Sequence, residues 1–167
     1  MTLLQQWLTG DIAAGIERAA AAGEEPIYLG GLSPLHLLAQ RGSVLLVQTA
    51  LEAGFAFDAC DDFHRTPLMV ASSLAQHLEG GAIARTLLKA GAAVGTSDFF
   101  GNRALHYAAR VGNVAAFAAL LAAGADPDAM NQSNRSARAF AEWRKDLEMM
   151  RLLRRLEFNL SVETTAK

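Results

Sequence analysis

Asp98-Phe-Phe-Gly-Asn-Arg-Ala-Leu-His-Tyr-Ala-Ala-Arg-Val-Gly-Asn-Val-Ala-Ala-Phe-Ala-Ala-Leu-Leu-Ala-Ala-Gly-Ala-Asp-Pro-Asp-Ala129 reads as a polar loop followed by two short apolar helices, each closed by a glycine. Its signature returns along the chain. Gly31-Leu-Ser-Pro-Leu-His-Leu-Leu-Ala and His64-Arg-Thr-Pro-Leu-Met-Val-Ala stand upstream, and a fainter Asn134-Arg-Ser-Ala-Arg-Ala-Phe-Ala stands downstream. The steps from Ser33 to Thr66, Arg103 and Ser136 are 33, 37 and 33 residues. Such periods mark solenoids, whose units bury their apolar faces only against neighbours.

The local chemistry fits that reading. Ser33 and Thr66 precede prolines, as an N-cap precedes a first helical position that needs no donor. Leu35, Leu68 and Leu105 are expected to point inward, and Ala39, Ala71 and Ala108 to let helices approach closely. Gly42 and Gly112 suit the turn between paired helices. Leu46, Leu51, Leu87, Leu88, Phe117, Leu120 and Leu121 recur at helical spacing in the second helices. Gly54, Gly91 and Gly124 then stand where a left-handed residue caps a helix.

Residues 98–130 resemble the ankyrin repeat position by position: Asp-x-x-Gly-x-Thr-Pro-Leu-His-x-Ala-Ala-x-x-Gly-His, an apolar helix, then Gly-Ala-Asp-x-Asn. Residues 31–60 and 61–97 match well, whereas 1–30 and 131–156 match as terminal units. Arg103-Ala104 departs from Thr-Pro and Met69 from the histidine. His64 and Asn134 stand where glycine is usual, and both tolerate positive φ better than most residues. The resemblance implies an all-α, ankyrin-type helix-turn-helix solenoid with projecting β-hairpin-like loops, a single domain over 1–160. A capping pair is expected at about 2–9 and 11–22 and a closing pair at about 136–144 and 146–156. In the closing pair Phe140, Trp143, Leu147, Met150 and Leu153 are expected to face inward, and the polar tail 161–167 to fray. The four extra residues of the second unit, around 72–81, are read as a longer first helix and a wider turn holding Gly80-Gly81.

At 167 residues and 51% hydrophobic, the chain can bury one continuous core. Its net charge of −2 is unevenly spread. Residues 1–64 hold eight acids against Arg18 and Arg41, while residues 65–167 hold thirteen bases against nine acids. The overall acidity argues against a nucleic-acid binder, and the longest uncharged apolar stretch, Val114 to Ala125, is too short to span a bilayer. With no secretory signal and one cysteine, Cys60, a cytoplasmic monomer is expected.

No nucleophile, phosphate-loop, metalloprotease or paired-carboxylate motif appears, so neither catalysis nor a cofactor is expected. Asp58-Ala-Cys-Asp-Asp-Phe-His64 has ligand-capable atoms but lacks paired zinc spacings, and reads as a turn. His36 and His106, at the motif's histidine position, are structural by resemblance, and His77 is expected in the exposed inserted turn. Variable positions single out Leu29, Leu32, Asp62, Phe63, Arg65, Phe99, Phe100, Asn102, Gln132, Ser133 and Arg135 on loops. On first helices and the closing unit they single out Gln40, Arg41, Ser72, Ser73, Tyr107, Arg110, Val111, Trp143 and Arg144. By resemblance these line a concave groove for a protein partner, which the chain restrains or scaffolds, and the aromatic and arginine residues suit hot-spot chemistry. Phe63 and Phe100 share a register that would let them pack sideways, whereas Phe99 is expected to be exposed. The alternative is self-assembly, with the acidic N-terminal end meeting the basic C-terminal end of another copy.

Overall fold

The computed structural model describes Gly15, Ala21 and residues 30–75 and 79–165, with eight helices of defined bounds. They come in pairs: α1 (Pro34–Arg41) with α2 (Val44–Glu52), α3 (Pro67–Ser72) with α4 (Gly80–Ala90), α5 (Ala104–Val111) with α6 (Val114–Ala122), and α7 (Ala137–Arg144) with α8 (Leu147–Thr165). First helices stack in one row, α1 on α3 on α5 on α7, and second helices in another, α2 on α4 on α6 on α8. The described residues hold no named strand; Ser97 and Arg103 form an isolated antiparallel bridge, and Leu32 is a bridge residue too. The fold is an all-α solenoid. The expected starting pair lies outside the described residues apart from Gly15 and Ala21, both helical, and Leu29 and His77 also lie outside them.

Every first helix starts the same way, from an extended residue: Ser33, Thr66, Arg103 or Ser136. Thr66 and Ser136 accept hydrogen bonds from the backbone of Met69 and Ala139, while Pro34 and Pro67 occupy first-turn positions where a missing N–H costs nothing. His64 and Asn134 adopt left-handed backbone, with φ of 62° and 52°. Leu35, Leu68, Leu105, Ala39, Ala71 and Ala108 are all buried in one continuous core. In the second row volume is traded between neighbours: Ile83-Ala84 in α4 stands where α6 has Ala116-Phe117, and all four are fully buried. Close packing requires this trade, since an interior holds few voids.

The extra residues of the second unit do not lengthen its first helix. α3 has six residues against eight in α1 and α5. Ser72 Oγ donates to the Leu68 carbonyl at 2.7 Å and Ser73 Oγ to that of Val70 at 2.7 Å. Such local bonds compete with helix continuation. They also bury Ser72 completely, so it is not a surface position. Gly80-Gly81 open α4 rather than forming the turn, because α4 crosses α6 closely there. A Cβ on Gly81 would lie 2.4 Å from the Cβ of Ala115, and one on Gly80 would lie 2.6 Å from the Ala71 carbonyl oxygen. The longer connection has its own bonds. Glu79 Oε2 accepts from the backbone N–H of Val44 at 2.8 Å, capping α2 of the preceding unit, and Asn113 Nδ2 donates to the Leu74 carbonyl at 3.0 Å.

The closing pair also differs from expectation. Ala137, Ala141, Met149 and Leu153 are buried, while Trp143 and Leu147 are 79% and 67% exposed. Close approach of α7 to α5 favours small residues on the inner stripe, which turns the larger ones outward. Arg138 occupies the position of Leu105 one repeat on. Its guanidinium bridges Asp128 and Glu157, both at 2.6 Å. α8 runs from Leu147 through Thr165, with no glycine or proline to interrupt it.

Candidate protein-binding face

The loops repeat one hydrogen-bond pattern. Asp61, Asp98 and Asn131 each accept, through Oδ1, from the backbone N–H groups two and four residues on, at 2.7–3.0 Å. These are Asx turns, in which the side chain stands in for a backbone acceptor. Successive loops are joined by single backbone bonds at equivalent positions: Asp62 N–H to the Gly30 carbonyl, Phe99 to Phe63, and Gln132 to Phe100, at 2.9–3.1 Å. This fixes the pitch of the loop tips. The second carboxylate oxygens are used as well. Asp61 Oδ2 holds the Arg65 guanidinium at 2.7 Å, and Asp98 Oδ2 accepts from the Tyr107 hydroxyl at 2.7 Å and Asn102 Nδ2 at 3.1 Å. Burial alone would raise both carboxyls, but these bonds hold them below the usual carboxylate range. Burial and the bond to Asp98 push the Tyr107 phenol well above its ordinary value. Tyr107 is thus a neutral donor that ties the loop to α5.

The 58–64 cluster is spread over separate local bonds. Asp58 accepts from the Ala93 N–H, Asp61 serves its own turn, and His64 Nδ1 lies 2.9 Å from the Ser97 carbonyl. Among the described residues no group of three or more His, Cys, Asp or Glu could hold a metal ion.

The two motif histidines join neighbouring units. His36 Nδ1 accepts from the Ser33 N–H at 3.1 Å, so its proton sits on Nε2, which donates to the Arg65 carbonyl at 2.7 Å. His106 repeats this with the Arg103 N–H at 3.1 Å and the Arg135 carbonyl at 3.2 Å. Burial lowers both imidazole pKa values. Such a ring is a structural connector with no proton to offer a substrate.

Around this frame the variable positions fall into stacks one repeat apart: Leu32, Arg65, Asn102, Arg135; Val70, Tyr107, Phe140; and Gln40, Ser73, Arg110, Trp143. Leu32, His36, Gln40, Arg65, Val70, Ser73 and Leu74 line a depression of about 290 Å³. Phe63, Phe99 and Phe100 are each more than half exposed, so Phe63 and Phe100 do not pack sideways in preference to Phe99. Phe99 instead stacks on the His64 ring at 5.5 Å. Cations sit over aromatic faces along the array: Arg65 over Phe63 at 5.3 Å, Arg110 over Tyr107 at 4.9 Å and Arg135 over Phe140 at 6.0 Å. Gln40, Arg41, Asp62, Arg110, Trp143 and Arg144 are exposed and Val111 half-buried. Arg65, Asn102 and Tyr107 are largely spent on internal bonds, and Arg144 Nη1 donates to the Arg110 carbonyl at the end of α5. Phe140, expected inside, is half-buried: it packs against the core and also borders this face. Its register with Val70 and Tyr107 is the signal that locates it.

A stack of helix pairs with Asx-turned loops and shared histidine connectors defines a helical repeat protein. The family model described as ankyrin repeats (3 copies) matches residues 35–131, more than half of the chain. The chain belongs to the ankyrin repeat family, whose members are generally non-catalytic protein-protein interaction modules. No curated protein matches it.

Proposed function

We propose that this chain is a single repeat domain over 1–160 that binds a partner protein through its loops and first helices. Phe63, Phe99, Phe100, Arg110 and Trp143 are the contact residues, with Gln40, Arg41, Asp62, Arg65, Asn102, Tyr107, Val111 and Arg144 around them. One observation carries this reading: large aromatic side chains stay exposed on a frame held by backbone bonds between loops and by the Asp61 and Asp98 carboxylates. A preorganised aromatic surface binds with less ordering cost. The chain would act without catalysis or cofactor, as a cytoplasmic monomer that restrains or scaffolds its partner. The net charge of −2 favours protein over nucleic acid, and no described helix is long and apolar enough to cross a membrane.

Affinity capture from the native lysate, comparing the unaltered chain with a Phe99→Ala, Arg110→Ala double variant, tests the assignment. A protein retained by the first and lost by the second is expected, with melting temperatures within a few degrees of each other. Equal recovery by both would count against this face.

A further inference from the structure

The end of the face nearest α7 has a chemistry of its own. Arg135, Ala139, Phe140 and Trp143 line a depression of about 200 Å³, room for a single large side chain. Its walls are mainly carbon: the Phe140 ring, held edge-on against His106 at 6.4 Å, and the Trp143 indole, 79% exposed. One arginine lines it and two more stand on the same side of the array: Arg135 lies over Phe140, Arg110 lies over Tyr107 on α5, and Arg144 Nη1 donates to the Arg110 carbonyl. Among the described residues the ion pairs engage Arg65, Arg138 and Arg151, and none engages these three. Of the acids on this side, Asp98 is committed to Tyr107 and Asn102, and Glu142, exposed beside Trp143, makes no ion pair with any of the three. An apolar socket beside arginines that outnumber these acids is complementary to an apolar side chain flanked by acids.

Resting on the protein-binding reading above, we propose that the partner presents an acidic segment to this end of the array. One aromatic or aliphatic side chain of that segment seats between Phe140 and Trp143, and its carboxylates face Arg135, Arg110 and Arg144. Trp143 is the anchor, since aromatic residues lining a socket carry most of an interface's energy. The arginines set orientation and speed of approach, so binding weakens as salt rises.

Selection of random displayed peptides on the full chain, followed by polarisation titration of the recovered peptides as fluorescein-labelled probes, tests this. Recovered peptides should carry one Phe, Trp or Leu among Asp and Glu. They should bind Trp143→Ala and Arg135→Glu about tenfold or more weakly, and lose affinity in high salt. Both positions are exposed, and circular dichroism checks that the variants stay folded. Peptides without acids, or peptides indifferent to both changes yet weakened by the Phe99, Arg110 double variant, overturn this proposal and leave the protein-binding face standing. Peptides indifferent to all of these changes overturn both. Recovery of no peptide, or equally tight and equally sensitive binding of a short single-stranded DNA, overturns the acidic-segment proposal.

Discussion

At the residue scale, His36 and His106 make the stack sensitive to acid. Each ring accepts a backbone N–H at Nδ1, so a second proton has nowhere to go without breaking the bond at the helix start. The folded pKa lies below the ordinary 6.5 because burial disfavours the charged ring. The unfolded chain therefore binds protons first, and stability falls as pH drops below about 6.5 toward the folded pKa. Asp61 and Asp98, depressed below 3.8, add a second loss at lower pH. The melting temperature should decline from neutral pH to about 5, with a shallower slope in His106→Gln. Lys145 poses the opposite case. It ends α7 with φ of 56°, a conformation that costs an L-residue about 1–2 kcal/mol. Lys145→Gly should stabilise by about 0.5–1 kcal/mol after allowing for glycine's greater unfolded freedom, read as a higher denaturant midpoint. Positive φ at His64 and Asn134 was legible in the sequence because both stand at a repeat's glycine position. Lys145 was not, although it stands one period after the turn glycine Gly112, because lysine, unlike His or Asn, has no leaning toward positive φ to prompt the reading.

At the element scale, the second unit shows what a repeat can absorb. Its first helix shortens, its connection lengthens, and Glu79 reaches back to cap α2. The sequence located the extra residues but not their effect, because Ser72 and Gly80-Gly81 each carry two meanings. A serine in a short helix can face water or bond back to the preceding turn, and a glycine pair can form a turn or admit a close crossing. Only the neighbouring helix decides. Gly81→Ala tests the crossing. The added methyl would improve helix propensity by about 1 kcal/mol but meets Ala115 at 2.4 Å. Overpacking costs about 1–3 kcal/mol, so a net fall in stability is expected on chemical denaturation. The closing pair was misread for a related reason. Hydrophobicity placed Trp143 and Leu147 inside, whereas helix approach required Ala137 and Ala141 there.

At the scale of the whole molecule, each helix pair borrows its core from the next. Leu35, Leu68 and Leu105 form part of one apolar cluster, so damage at one layer is shared. Leu105→Ala should cost about 2–5 kcal/mol and lower the unfolding midpoint of the array as a unit. Separate transitions for the two sides of α5 would show that the layers act independently. The stacking itself was the most legible feature, because the period and its leucines are visible without any structure. The socket at Phe140 and Trp143 was the least legible, because it arises where the pattern fades.

That fading has a further consequence at Arg138, which replaces the layer-forming leucine and grips one carboxylate before it and one after it. Any layer packed over that clasp would have to dehydrate a cation and two anions at once, a debt that ion pairing seldom recovers. The guanidinium clasp thus raises the cost of covering that surface with a further apolar layer.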